Sequence, residues 1–124
     1  MFNGLFVDYH KKDDIAETHK YEDEFLNLSQ IKTMSKNRRN LNSPDVQLIM
    51  NSSKNKTRLP LFIKKSNDEG QEFYFIGNMQ PIINSFEETE MSSGDNTKVS
   101  VVSMKFDLDK PVNEDLYNYI IDKN

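Results

Sequence analysis

RLPLFIKK, from Arg58 to Lys65, and EFYFIG, from Glu72 to Gly77, are two runs rich in aliphatic and aromatic residues. Between them Ser66 to Gln71 holds the turn formers Asn67, Asp68 and Gly70. Two such runs with a short polar connection read as an antiparallel hairpin. Pro60 withholds one ladder donor, which suits an edge strand or a strand start. Side chains alternate across a strand, so Tyr74 faces away from Phe73 and Phe75. The expectation is that the two phenylalanines are core and that Tyr74 is the aromatic side chain open to a ligand.

Outward from this hairpin, Lys98 to Leu108 carries Val99, Val101, Met104 and Phe106 at near-alternate positions and predicts a long strand. Phe2 to Tyr9, with Leu5, Phe6 and Val7, predicts a first strand, and Met79 to Phe86 a further one. Pro111 to Ile121 predicts a helix: Pro111 suits a first turn, Asn113 or Asp109 can cap it, and Leu116, Tyr117, Ile120 and Ile121 form its apolar stripe. From His10 onward, Ile15, Tyr21, Phe25 and Leu26 are spaced thinly among charges and predict a short helix. Val46 to Met50 is a short apolar run of either type. Asn37 to Pro44 reads as a loop, Asn51 to Thr57 as a polar turn and Glu87 to Asn96 as an acidic loop. Hairpin spacing, without repeated strand-helix-strand units, points to the α+β class: a small mixed, mainly antiparallel β-barrel with one or two helices. A length of 124 residues with no dividing linker fits one domain, 1–124.

Composition removes several classes of function. The chain has no cysteine, so cysteine catalysis, disulfides and thiolate zinc sites are excluded. The four glycines are isolated, none precedes a Lys-Ser/Thr pair, and no serine sits in a Gly-x-Ser-x-Gly turn. No Glu-x-Lys or Asp-x-Lys triplet of the strand-borne nuclease kind occurs. Asp8, His10, Asp13, Asp14, Glu17, His19, Glu22, Asp23 and Glu24 hold oxygen and imidazole donors, but so dense a charge run reads more simply as a solvated face. The expectation is a domain without catalysis, cofactor or metal. The N-terminus lacks a signal-peptide layout and no apolar run reaches the roughly 20 residues of a membrane span, so no membrane partner and a cytoplasmic location are expected.

What remains is binding. Between Gln30 and Lys65 nine basic residues stand against the single acid Asp45, a local +8 in a chain whose net charge is -4. The rest of the chain therefore carries -12, and such segregation attracts phosphates locally despite the negative total. SQIKTMSKNRRN, from Ser29 to Asn40, mixes hydroxyl, amide and guanidinium donors, the types that hold phosphates and read base edges. Lys36, Arg38, Arg39, Lys54, Lys56 and Arg58 are the candidate phosphate contacts. Ser29, Gln30 and Asn40 are the candidates for approaching bases, with Tyr74 as the aromatic contact.

Five motifs occur in a particular order: Leu5-Phe6-Val7 followed by Lys11-Lys12; Tyr21-x-Asp23-x-Phe25; Ser29-Gln30 with Ser43-Pro44 downstream; Leu61-Phe62-Ile63-Lys64; and Phe73-Tyr74-Phe75-Ile76-Gly77. In this order, over nearly the whole chain, they resemble the C-terminal half of the uncharacterised domain that follows the superfamily-two helicase core in many bacterial proteins, modification-dependent (type IV) restriction systems included. Pro111 to Ile121 is similar to that family's proline-containing C-terminal stretch. The family usually has an aromatic element, often with tryptophan, before its Ser-Gln pair, where this chain has only Leu26 and Leu28. The resemblance implies an SRA- or PUA-like barrel that recognises DNA, with methylated cytosine in a duplex as the candidate target. It also implies helicase and nuclease domains of the same system as partners. Three alternatives stand beside it: a protein-interaction module docking on a helicase or nuclease partner, a metal-dependent nuclease using carboxylates near His19, and RNA in place of DNA.

Overall fold

The computed structural model describes residues 4–9, 23–65, 73–92 and 97–121. In chain order these form β1 (Leu5–Tyr9), β2 (Glu24–Asn27), β3 (Gln30–Met34), α1 (Pro44–Met50), α2 (Ser52–Asn55), β4 (Pro60–Lys65), β5 (Tyr74–Pro81), β6 (Glu87–Ser92), β7 (Lys98–Leu108) and α3 (Glu114–Ile121). The strands make one sheet in the order β1-β4-β5-β7-β3-β2, with β6 also on β7, curled into a half-barrel. Among the described strand pairs only β1 and β4 run parallel, Leu5 opposite Leu61, and β2, β3, α1 and α2 lie in the crossover between them. The fold is thus the expected mixed, mainly antiparallel α+β type.

β7 organises the sheet. Its N-terminal half pairs with β6, Lys98 opposite Ser92, and its C-terminal half lies between β3 and β5, with Phe106 opposite both Ile31 and Pro81. Val102, Met104, Phe106 and Leu108 face the main core, which includes Ile31, Leu61, Ile63 and Met79 from the neighbouring strands and Val46 from α1. Full burial of a side chain the size of Phe106 contributes on the order of 3 kcal/mol. α3 packs between the two wings of the sheet: Tyr117 meets Phe25 of β2 with ring centroids 5.3 Å apart, and Tyr119 meets Tyr74 of β5 at 6.1 Å. Asn113 caps α3, its Oδ1 accepting from the Leu116 amide at 3.1 Å. No helix among the described residues is long and apolar enough to cross a membrane.

Several expectations are corrected. Phe25 and Leu26 belong to a strand, and Gln30–Met34 is a strand that the polar reading of Ser29 to Asn40 missed; the rest of the helix expected from His10 falls on residues 10–22, outside the described part. The turn Ser66 to Gln71 also lies outside it, although β4 and β5 do pair antiparallel. Asn51 to Thr57 contains the one-turn helix α2, and Glu87–Ser92 is β6 rather than loop. Glutamates disguise β6 because it is an edge strand, where charge is tolerated and discourages further pairing. Met79 to Phe86 holds no separate strand: β5 runs through to Pro81, and Ile83–Ser85 is a 3-10 turn. Pro111 precedes α3 instead of entering its first turn. Phe73 and Phe75 are not core but 40% and 56% exposed. Phe75 lies opposite the outward-facing Phe62, and the bulge between Leu61 and Phe62 shifts the register of this hairpin.

Candidate nucleic-acid interface

Beyond β3 the chain stays against β7. The Ser35 amide donates to Val102 O at 2.9 Å, and Ser35 Oγ accepts from the Val102 amide at 2.8 Å. Two residues further the backbone turns sharply at Asn37 and Arg38. Both the Arg38 and Arg39 amides donate to Ser100 O, at 2.7 and 3.2 Å, and Arg38 takes a left-handed φ of 61°. For a side chain other than glycine, asparagine or aspartate that conformation costs on the order of 1 kcal/mol.

The descending arm is held as firmly. Arg39 Nε lies 3.2 and 3.0 Å from the two carboxylate oxygens of Asp45, and its Nη1 donates to Asn37 O at 3.2 Å. Asn40 Oδ1 accepts from the Asn42 amide at 2.7 Å, and Ser43 Oγ accepts from the Asn40 amide at 3.0 Å. These side-chain turns occupy the backbone donors of a segment that has no ladder of its own. Gln47 Nε2 donates to Leu41 O at 2.6 Å, and the Leu41 amide donates to Glu88 of β6 at 2.9 Å. The result is a loop tied to β7, α1 and β6 that leaves Lys36, Arg38 and Asn40 exposed.

The other candidates are placed elsewhere. Lys54, Lys56 and Arg58 are exposed on α2 and its exit, where Lys56 takes a left-handed φ of 55° as the helix cap. Leu59 O accepts from the Met79 amide, and Met79 lies opposite Leu108, so Arg58 belongs to the C-terminal end of β7. Ser29 is at that end too, its carbonyl accepting from the Leu108 amide. Gln30 is opposite Asp107 with its amide engaged on both sides: Nε2 donates to Asp107 Oδ1 at 2.9 Å and Oε1 accepts from Asn27 at 3.0 Å.

Arg38 anchors at Ser100 and Gln30 at Asp107, seven positions apart on β7. At 3.3 Å per residue this is about 23 Å of strand. The structure therefore does not bring Ser29 and Gln30 together with Lys36, Arg38 and Asn40, and α1 and α2 carry the chain from one basic group to the other. Tyr74 is opposite Ile63 and half-buried with its ring on Tyr119, so it belongs to the packing of α3. Among the described residues no group of three metal-ligating side chains converges. The proposed cluster around His19 falls mostly outside them.

Two features escaped the reading of the sequence. One is the set of partners that fix the loop, Ser35, Asp45, Glu88 and Ser100, which are ordinary residues until the fold brings them together. The other is an aromatic patch on the outside of the sheet. Phe6 stacks on Phe62 with centroids 4.8 Å apart and 9° between planes, Phe73 meets Phe6 edge-on at 5.3 Å, and Phe75 lies 5.4 Å from Phe62. Lys64 Nζ sits 5.8 Å from the Phe73 centroid.

A curled mixed sheet that carries a pinned, cationic loop defines a small α+β domain. Residues 3–120 match the family described as "Domain of unknown function (DUF3427)", and the chain belongs to that family. Among solved structures it is similar to the DNA modification-dependent restriction endonuclease AspBHI, with a TM-score of 0.54 and 13% sequence identity. The match covers 94% of this chain and 33% of that one, and at this identity the likeness is one of fold. The chain thus spans about a third of the length of that protein. No curated protein sequence matches.

Proposed function

We propose that this chain is a non-catalytic DNA-recognition domain of a modification-dependent restriction system, with methylated cytosine in duplex DNA as its target and the helicase and nuclease domains of the same system as its partners. The observation that carries the reading is the loop from Lys36 to Asn40, whose backbone is fixed by Ser100 and Asp45 while a lysine, an arginine and an amide stay exposed. A fixed cationic loop loses little entropy on binding, and guanidinium, ammonium and amide groups are the donors that phosphates and base edges accept. The restriction endonuclease of similar fold supports the same assignment. Lys54, Lys56 and Arg58 extend the phosphate contacts along the chain past α2.

Neutralised phosphates release counterions, so the duplex affinity falls linearly with salt on a log-log plot, by a slope of about 0.9 per phosphate contacted. With these cations engaged the expected slope is about -3 to -5, measured by filter binding of a short duplex between low and physiological salt. A slope near zero contradicts the reading.

A second reading, a module that docks on a helicase or nuclease partner, draws on the outer patch of Phe6, Phe62, Phe73 and Phe75. Exposed contiguous apolar surface of this kind marks protein contacts. A partner pulled down without DNA, and lost on Phe6→Ser with Phe75→Ser, identifies that role.

A further inference from the structure

Two described residues other than glycine have left-handed backbones, and both are basic: Arg38 and Lys56. Lys56 closes a helix, the usual place for such a residue. Arg38 closes none; it sits at the tip of a loop, where glycine or asparagine fits the backbone better. Its neighbour Arg39 is spent on Asp45 and Asn37 O. The Arg38 guanidinium has no partner among the described residues and is exposed. A side chain other than glycine on a strained turn that its surroundings over-determine is the pattern of a functional contact residue.

Resting on the DNA-binding reading, we propose that Arg38 determines specificity by placing its guanidinium fork on O6 and N7 of a guanine in the major groove, and that Arg39 is a positioning residue that stays on Asp45. The planar fork matches that pair of acceptors, whereas a lysine reaches them as a compact charge without the fork geometry. Charge and width favour the major groove. Glu88 accepts from the Leu41 amide beside the loop, and Glu87 and Glu90 are exposed on the same strand. Those carboxylates are repelled by the concentrated negative potential of a narrow minor groove, while the major groove, about 12 Å wide, admits a two-residue turn and keeps them further from phosphate.

The test selects binders from a duplex pool with a randomised centre, prepared with unmodified and with 5-methylated cytosine, using the wild-type chain, Arg38→Gly and Arg38→Lys. Wild type enriches a guanine at one position. Arg38→Gly loses that preference by about tenfold or more while melting no lower than wild type, and Arg38→Lys, which keeps the charge and the salt dependence but not the planar fork, retains only part of it. Replacing the enriched guanine by 7-deazaguanine, which lacks the N7 acceptor, weakens wild-type binding by about tenfold. This last result uses the unaltered protein and does not depend on how a variant folds. If both variants bind every sequence more weakly with an unchanged preference, or 7-deazaguanine has no effect, Arg38 is a phosphate contact and the inference falls while DNA binding stands. If wild type binds neither pool, the DNA-binding reading falls and this one with it.

Discussion

The Arg39 guanidinium and the Asp45 carboxylate are joined across the turn that leads from β3 to α1, with Arg39 Nε 3.0 Å from one oxygen and 3.2 Å from the other. The pair fixes the descending arm of the loop to the first turn of a helix, and so fixes the direction in which Arg38 leaves it. Their side chains are 34% and 43% exposed, so solvent screens the attraction heavily.

The pair is accordingly expected to contribute about 0.5–1 kcal/mol. Urea unfolding of Arg39→Ala, Asp45→Ala and the double variant gives that coupling as the departure from additivity. Additive effects would mean that the pair orders nothing.

Gly77 has a φ of +147°, and a β-carbon there would lie 2.8 Å from Asp109 Oδ1. Gly77→Ala therefore meets backbone strain and a clash together, and is expected to cost about 2 kcal/mol or more. In an Asp109→Ala background the clash disappears and only the strain remains, so the loss should shrink. Equal losses in both backgrounds, read from thermal melts, would show that the carboxylate does not press on this glycine.

Phe106 is 1% exposed, whereas Phe75 is 56% exposed on the outer patch. Phe106→Ala is expected to cost about 3–5 kcal/mol. Phe75→Ser should cost under about 1 kcal/mol, since its ring leaves a surface and no cavity forms. Comparable losses at the two positions in denaturant melts would overturn the assignment of inner and outer faces.

Asn113→Ala removes the acceptor of the Leu116 amide at the start of α3 and is expected to cost about 1 kcal/mol. Asn113→Asp keeps an acceptor and should restore most of it, as far-ultraviolet thermal melts can show.

Much of this architecture is legible in the sequence where one face of an element is apolar. The long strand Lys98–Leu108, the hairpin of β4 and β5, the strand at Leu5 and the C-terminal helix with its Asn113 cap all announce themselves in that way. β3 does not, because Lys32 and Thr33 give QIKTM a polar look, although Thr33 is buried with Ile31 once β7 lies beside them. In EFYFIG alternation shows which residues share a side and not which side is covered, so Phe73 and Phe75, expected in the core, lie on the outer face. Tyr74 lies opposite buried Ile63 and is half-buried, with Tyr119 of α3 against its ring. In the candidate interface the basic residues were visible as a charge run. Their division between two ends of β7, and the separate duties of adjacent Arg38 and Arg39, follow from hydrogen bonds to Ser100 and Asp45 that no local pattern encodes.

We propose that this domain recognises modified duplex DNA through its basic loop. Fluorescence anisotropy with matched duplexes, one unmodified and one methylated at cytosine, each at two salt concentrations, tests it most directly. Tighter binding to the methylated duplex, weakening with salt for both and reduced by Arg38→Ala, is the predicted result. Absence of binding to either duplex would rule out DNA recognition by the loop and leave the outer aromatic patch as the working surface.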